Sequence, residues 1–248
     1  MPYKPILQPP LNLVELETVG STNDHARQLA KNGYPGGIVV WAHEQTAGRG
    51  RQGNSWVSMP GNLFMSMILR PRVNAAQLGQ LSLLAGVALA NVLAPILPDA
   101  GAIRLKWPND LLINEKKAAG ILVETESQGL LQVPWVVIGI GVNIADAPED
   151  AVSLQGLGVK AHEAGHILEL LSKEIMGLVH QWESSGFEAV REAWLKRAYR
   201  VGEPITARLP KETVTGIFEG LDRTGALLLK LDDGSRRVIA SGEIFTGM

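Results

Sequence analysis

The sequence predicts a mixed α/β domain over residues 1–199 and a small β-barrel over residues 200–248. Three observations carry that expectation. Up to about Tyr199, strand-like apolar runs alternate with stripes of helical period. After Gly202 only short β-type runs remain, closely spaced in under fifty residues. Asp222-Arg223-Thr224-Gly225 and Asp232-Asp233-Gly234-Ser235 separate those runs with hairpin turn chemistry.

The elements follow in order. Ser21-Thr22-Asn23-Asp24 reads as a helix start, with Ser21 as N-cap and Asp24 as an acidic variant of the capping box. Gly33-Tyr34-Pro35-Gly36-Gly37 ends that helix. Residues 38–42 form a short buried strand and residues 62–69 another. Between them runs a long polar loop carrying Arg49 and Arg51, and loops of that length in a compact domain tend to be functional or disordered. Leu78, Leu81, Ala85, Ala88, Leu89 and Val92 make a core-facing stripe within a helix over 76–97. Strands are expected over 103–107, 110–113, 119–125 and 133–144, the last two as a hairpin turning at Ser127-Gln128-Gly129. Two helices span 167–200, broken near Ser184-Ser185-Gly186. In the barrel, strands are expected over 205–209, 214–221, 226–231 and 236–239.

The bulk numbers narrow the functional classes. With 248 residues, 46% hydrophobic and 19% charged, the chain can bury a sizeable core. Its 23 basic and 25 acidic residues leave a formal charge of −2, which offers no basic surplus for non-specific nucleic-acid binding. The absence of cysteine excludes disulfides, thiolate metal sites and cysteine nucleophiles, and fits a reducing compartment. Met1-Pro2-Tyr3-Lys4-Pro5 lacks the pattern of a signal peptide. No apolar run is expected to approach the roughly 20 residues of a membrane helix. A cytoplasmic protein with no membrane partner is expected.

Three stretches carry chemistry. Gly48-Arg49-Gly50-Arg51-Gln52-Gly53 is a pliable loop bearing two guanidinium groups that stay charged at any working pH. It lacks the spacing of a phosphate-binding P-loop. Lys106-Trp107-Pro108-Asn109-Asp110 puts a carboxylate between two apolar strands. Turn chemistry alone accounts for Pro-Asn-Asp, but a carboxylate acting with phosphate oxygens is also the usual holder of Mg²⁺. Lys117-Ala118-Ala119-Gly120 places an ammonium at the start of a strand. Such parts suit a site that holds polyanionic phosphate around a reacting carboxylate. Ser21, Thr22 and Asn23 cap a helix and can also present donors to a ligand. Trp56 is core or the apolar lid over a ligand ring. His162-Glu163-Ala164-Gly165-His166 matches the H-E-x-x-H pattern, but Gly165 between the histidines and the late onset of the helical stripe make it a surface turn.

These residues, in this order and spacing, resemble the biotin protein ligases over nearly the whole chain. The matching pieces are Ser21-Thr22-Asn23, Glu44-Gln45-Thr46-Ala47-Gly48-Arg49-Gly50-Arg51-Gln52-Gly53 with Trp56, and Asn62-Leu63-Phe64-Met65-Ser66. Further on stand Lys106-Trp107-Pro108-Asn109-Asp110, Lys117 to Glu124, Gly139-Ile140-Gly141-Val142-Asn143 and Gly242-Glu243-Ile244. The resemblance implies a class II aminoacyl-tRNA-synthetase-like mixed sheet with flanking helices and an SH3-like C-terminal barrel. It also implies the reaction: biotin's carboxylate attacks the α-phosphorus of Mg·ATP, and a lysine of a biotin carboxyl carrier protein then takes the acyl group. Carried over by position, Ser21, Thr22, Asn23, Gln45, Gly120 and Gly141 would surround biotin. Arg49, Gly50 and Arg51 would close over its valerate chain and the adenylate phosphate. Lys117 would lie between carboxylate and α-phosphate, making it and Arg51 the catalytic candidates. Trp56, Lys106, Asn109, Asp110 and Asn143 would serve ATP, with Asp110 toward Mg²⁺.

Asn54 departs from the family's usual basic residue. About twenty residues before Ser21 leave no room for an N-terminal DNA-binding domain, so a ligase without a DNA partner is expected. Exposed hairpin edges allow a homodimer or docking of the acceptor by strand addition. The nearest rival is a lipoate or octanoate ligase or transferase of the same fold, against which the Trp107-Pro108-Asn109-Asp110 segment and paired-arginine loop argue. A non-catalytic biotin binder is the rival from another class, and the intact Lys117, Arg51 and Asp110 argue against it.

Overall fold

The computed structural model describes residues 3–72, 77–126, 133–159 and 163–245. Strands β1 (Asn12–Val19) and β2 (Ile38–Gln45) pair in parallel, connected by helix α1 (Thr22–Lys31). Then follow β3 (Leu63–Leu69), α2 (Leu78–Leu93), β4 (Ile103–Lys106), β5 (Asp110–Ile113), β6 (Lys116–Thr125) and β7 (Val136–Val142). The strands build one seven-stranded sheet in the order β1-β2-β3-β7-β6-β5-β4, antiparallel throughout except for the first pair. Helices α3 (Ala164–Ser185) and α4 (Glu188–Leu195) complete this part, breaking at Gly186 as expected. The expected turn of the β6–β7 hairpin lies outside the described residues.

Period-two alternation assigns each strand residue to a face. Val39, Trp41, Met65, Met67, Ile138 and Ile140 belong to the large core shared with α2 and α3. Ile38, Val40, Ile68 and Val137 face the other way and pack under Ala26 and Ala30 of α1. Both faces are covered, so β2, β3 and β7 read as nearly continuous apolar runs. α1 covers only half of its face. Phe64, Ser66, Gly120, Leu122, Gly139 and Gly141 lie on the other half, beside the N-terminus of α1, and there the sheet opens into a cavity.

The structure corrects several sequence expectations. Leu78–Ile96 runs 19 residues and is long and apolar enough, by length and composition alone, to cross a membrane. The expectation that no run approaches that length therefore fails. Its composition reflects burial: Leu81, Leu84, Ala85, Ala88, Leu89 and Leu93 are fully enclosed by sheet and helices. Ser21 stands at the N-cap of α1, but its hydroxyl makes no capping bond among the described residues. Gln45 satisfies that end instead, accepting from the Thr22 amide at 2.9 Å. β6 begins at Lys116, three residues before its expected start. A β-bulge explains the misreading: Leu111 pairs with Ala119 and Leu112 with Lys117, leaving Ala118 as the extra residue that breaks the alternation. α3 begins at Ala164, so Glu163 and His166 stand at a helix start rather than in a surface turn; His162 lies outside the described residues.

The chain ends in a five-stranded antiparallel sheet of β8 (Pro204–Arg208), β9 (Thr213–Leu221), β10 (Leu227–Lys230), β11 (Arg236–Ile239) and β12 (Glu243–Phe245). The order β11-β10-β9-β8-β12 accords with an SH3-like domain. Asp222 Oδ1 accepts from the amides of Thr224 and Ala226, at 2.7 and 2.9 Å, and Gly225 takes φ +87° to close that turn. Phe218, Leu227, Leu229 and Ile244 join the large core continuously with the residues of α2.

Candidate active site

Gln45, Thr22, Asn23 and Ser66 form a hydrogen-bonded cluster at the start of α1. Thr22 Oγ1 donates to Gln45 Oε1 at 3.1 Å, and the Gln45 amide nitrogen reaches Ser58 Oγ at 3.2 Å. Ser66 Oγ lies 2.8 Å from Thr22 Oγ1 and 2.6 Å from Asn23 Oδ1. All but Gln45 are buried, which fixes their directions. Glycine makes room beneath them: a Cβ on Gly139 would lie 1.9 Å from Asn23 Oδ1.

Trp56 stands on a second glycine shelf. A Cβ on Gly141 would come within 2.5 Å of its ring, and one on Gly120 within 2.8 Å. Its Nε1 is buried and makes no hydrogen bond among the described residues. The loop from Thr46 to Asn62 that delivers it is held by short backbone bonds, Gly50 N to Asn54 O at 2.7 Å and Trp56 N to Gly48 O at 2.9 Å.

The two arginines of this loop diverge. Arg51 turns inward, donating to Asn109 Oδ1 and to the Gly242 carbonyl, each at 3.2 Å. Burial pushes its guanidinium below the ordinary arginine value, with Asp110 and Glu243 opposing the shift; it remains a cation. Arg49 lies on the cavity wall, but its guanidinium is engaged by Asp24 at 2.6 Å and Glu124 at 2.9 Å. Burial of Arg49 is outweighed there by Glu124 and Asp24, which hold it above the ordinary value. The nearest acceptors are two carboxylates of the fold itself.

Lys117 sits where three hollows adjoin. The first is the cavity already described, which also takes in Ser21, Gly50, Arg51, Asn109, Gly120 and Gly141. The second contains Lys106, Asp110, Arg51 and Glu243. The third lies beyond Trp56 and contains Asn143, Pro148 and Asp150. Lys117 Nζ is 2.8 Å from Asp110 Oδ1 and 5.6 Å from the Trp56 ring centre. The bulge at Ala118 carries this ammonium to the junction. Lys106 Nζ lies 5.7 Å from the Phe245 ring, toward the C-terminal sheet. Asn143 is tied to the main-chain oxygens of Lys117 and Ala118 and does not line the first cavity.

Every sequence-predicted site residue thus falls in or between these hollows, with Arg49 turned to other partners. Sequence reasoning missed Ser66, Gly139, Asp24 and Glu124. Asn62-Leu63-Phe64-Met65-Ser66 and Gly139-Ile140-Gly141 were legible as motif pieces, but nothing local reveals a hydroxyl and a glycine meeting under Asn23. Among the described residues no group of three His, Cys, Asp or Glu could hold a metal ion by itself. One oxygen does suit a cation. Asp110 Oδ1 is buried and, beyond the Lys117 ion pair, makes no hydrogen bond among the described residues. A single carboxylate acting with phosphate oxygens and water is how Mg²⁺ is commonly held.

The mixed sheet thus carries a glycine-floored cavity, an arginine-bearing loop and an ammonium at the junction of three hollows. Residues 16–143 match the Biotin/lipoate A/B protein ligase family, and residues 201–247 match the Biotin protein ligase C terminal domain. The chain belongs to that family. It is 42% identical over 241 residues to a biotin–[acetyl-CoA-carboxylase] ligase of Paracoccus denitrificans, covering 94% of this chain and 99% of the relative. It is 36% identical to the bifunctional ligase/repressor BirA of Bacillus subtilis, covering 93% of this chain and 73% of that one. Among solved structures it resembles the biotin protein ligase of Aquifex aeolicus in complex with biotin and ATP. There the TM-score is 0.80 at 29% identity, covering 94% of this chain and 97% of that one.

Proposed function

We infer that this protein is an ATP-dependent ligase that activates biotin as biotinyl-5′-AMP and transfers it to a specific lysine of a biotin carboxyl carrier protein. The observation that carries the reading is Lys117, whose ammonium is shared by the cavity under α1 and the hollow holding Asp110 and Arg51. Biotin's carboxylate and ATP's phosphates repel one another, so catalysis consists largely of positioning and charge neutralisation. A fixed ammonium at the meeting point does both.

Ser21, Thr22, Asn23 and Gln45 offer hydroxyl and amide groups for the ureido ring, and Gly120 and Gly141 leave room beneath it. The loop around Gly50 covers the acid chain. In the first step a carboxylate oxygen bonds to the α-phosphorus and pyrophosphate leaves. Lys117 and Arg51 offset the charge that grows on the phosphoryl oxygens. Trp56, Lys106, Asn109 and Asn143 are the candidates for the nucleotide. Asp110 would hold Mg²⁺ together with the phosphates, and a bound Mg²⁺ neutralises the triphosphate. In the second step the acceptor lysine's amine attacks the acyl carbon, and AMP departs. The mixed anhydride is prone to hydrolysis, so a loop that excludes water has a purpose. The outer strand β1 offers an edge to which a carrier domain or a second copy can add.

The test is ATP–pyrophosphate exchange with biotin, lipoate or octanoate supplied singly, followed by addition of an apo carrier domain. Exchange and acceptor labelling with biotin are expected. Activity with lipoate or octanoate alone moves the protein to the lipoate-type branch, and biotin binding without exchange makes it a binder.

A further inference from the structure

The engagement of Arg49 joins two parts of the site that the reaction must keep together. Its guanidinium forks onto Glu124, Nη2 to Oε1 at 2.9 Å and Nη1 to Oε2 at 3.2 Å, while Nη1 also reaches Asp24 Oδ1 at 2.6 Å. A fork onto both oxygens fixes direction as well as distance. Glu124 is the better enclosed anion, its side chain 18% exposed against 49% for Asp24. Its Oε2 also accepts from Asn23 Nδ2 at 2.9 Å, and Asn23 is the residue wedged over Gly139 and bonded to Ser66. Arg27 adds a second cation, 3.2 Å from Asp24 and 3.7 Å from Glu124. Two anions on rigid elements, α1 and β6, thus hold one cation from the loop and one from the helix.

We propose that Glu124, seconded by Asp24, is a positioning residue that catches Arg49 to hold the 48–53 loop shut while fixing Asn23 over the cavity floor. Both arginines then anchor the loop, Arg49 at the two carboxylates beside α1 and Arg51 at Asn109, with Arg51 also turned toward the hollow of Asp110. The proposal rests on reading the cavity as the acid-binding site.

Trypsin cleaves after arginine and needs an extended, accessible chain, so its attack after Arg49 and Arg51 reports loop opening with no reference to catalysis. In Glu124→Gln, cleavage at these two bonds is expected to be about tenfold faster than in the unsubstituted protein, as for a local opening freed of one partly buried charged fork. Cleavage elsewhere and the thermal midpoint should hold. KM for biotin should rise by about tenfold while kcat falls less, because the fork orders the bound state and takes no part in bond making. Glu124→Asp should restore part of both effects. If Glu124→Gln does not fold, Asp24→Asn, at the more exposed partner, carries the same comparison. Loop cleavage at the unsubstituted rate, or faster cleavage spread evenly over the chain, overturns the proposal. The exchange assay on unsubstituted protein judges the ligase reading separately, since the cleavage comparison needs neither biotin nor ATP.

Discussion

Removing the Lys117 ammonium leaves the Asp110 carboxylate enclosed with its ion-pair partner gone. It also deletes the cation shared by the cavity under α1 and the hollow holding Asp110 and Arg51. Lys117→Ala is therefore expected to slow biotin-dependent ATP–pyrophosphate exchange by at least about a hundredfold, the scale of one preorganised electrostatic group. A rate near that of the unsubstituted protein would remove Lys117 from the chemistry. Gly139 tests the floor rather than the charge. Its missing Cβ is the space that Asn23 occupies, so Gly139→Ala must displace Asn23. An increase of roughly tenfold or more in biotin KM is expected, because misplacing a positioning group by about an ångström is costly. Unaltered biotin titration by calorimetry would show that Asn23 does not contact the vitamin. At this scale the chain was readable where chemistry is concentrated in short runs. Lys117, Asp110 and Arg51 announce themselves by charge beside glycine or apolar strand. Glu124 was legible only as the last residue of a motif, because its role comes from Arg49, 75 positions earlier.

The loop between β2 and β3 stood out by its length as functional or disordered, and the structure brings its two arginines to different anchors. Arg51 ties the loop to Asn109 in the β4–β5 connection, so Arg51→Gly removes an inward anchor and one cation from the hollow that holds Asp110. The activated intermediate should then escape, read as biotinylation of bystander proteins well above background; labelling that stays at background shows that the loop is no retaining lid. Element boundaries were less legible than element types. The bulge at Ala118 disguised the start of β6, and the polar end of β2 hid three further strand residues, His43, Glu44 and Gln45. α2 was placed within a few residues, yet its apolarity was underestimated because the stripe was read as one face where nearly the whole circumference is buried.

For the molecule as a whole, the boundary near residue 200 remains our proposal for two architectural units, while the apolar core runs through both. Leu83 of α2 meets the Gly225 turn, where a Cβ would approach it to 2.8 Å, and Trp107 Nε1 donates to the Gly225 carbonyl at 3.1 Å. Thermal unfolding is therefore expected to be a single cooperative transition, with near-ultraviolet dichroism and backbone dichroism tracing the same curve. Two separated midpoints would show that the C-terminal sheet melts by itself. The bond from Arg51 to the Gly242 carbonyl spans 191 positions of sequence. Any phosphate that recruits this guanidinium must compete with a peptide oxygen near the chain's last strand. If Arg51 serves the nucleotide as proposed, affinity for it is expected to follow how firmly that strand is seated, so that loosening the strand tunes the chemistry from a distance.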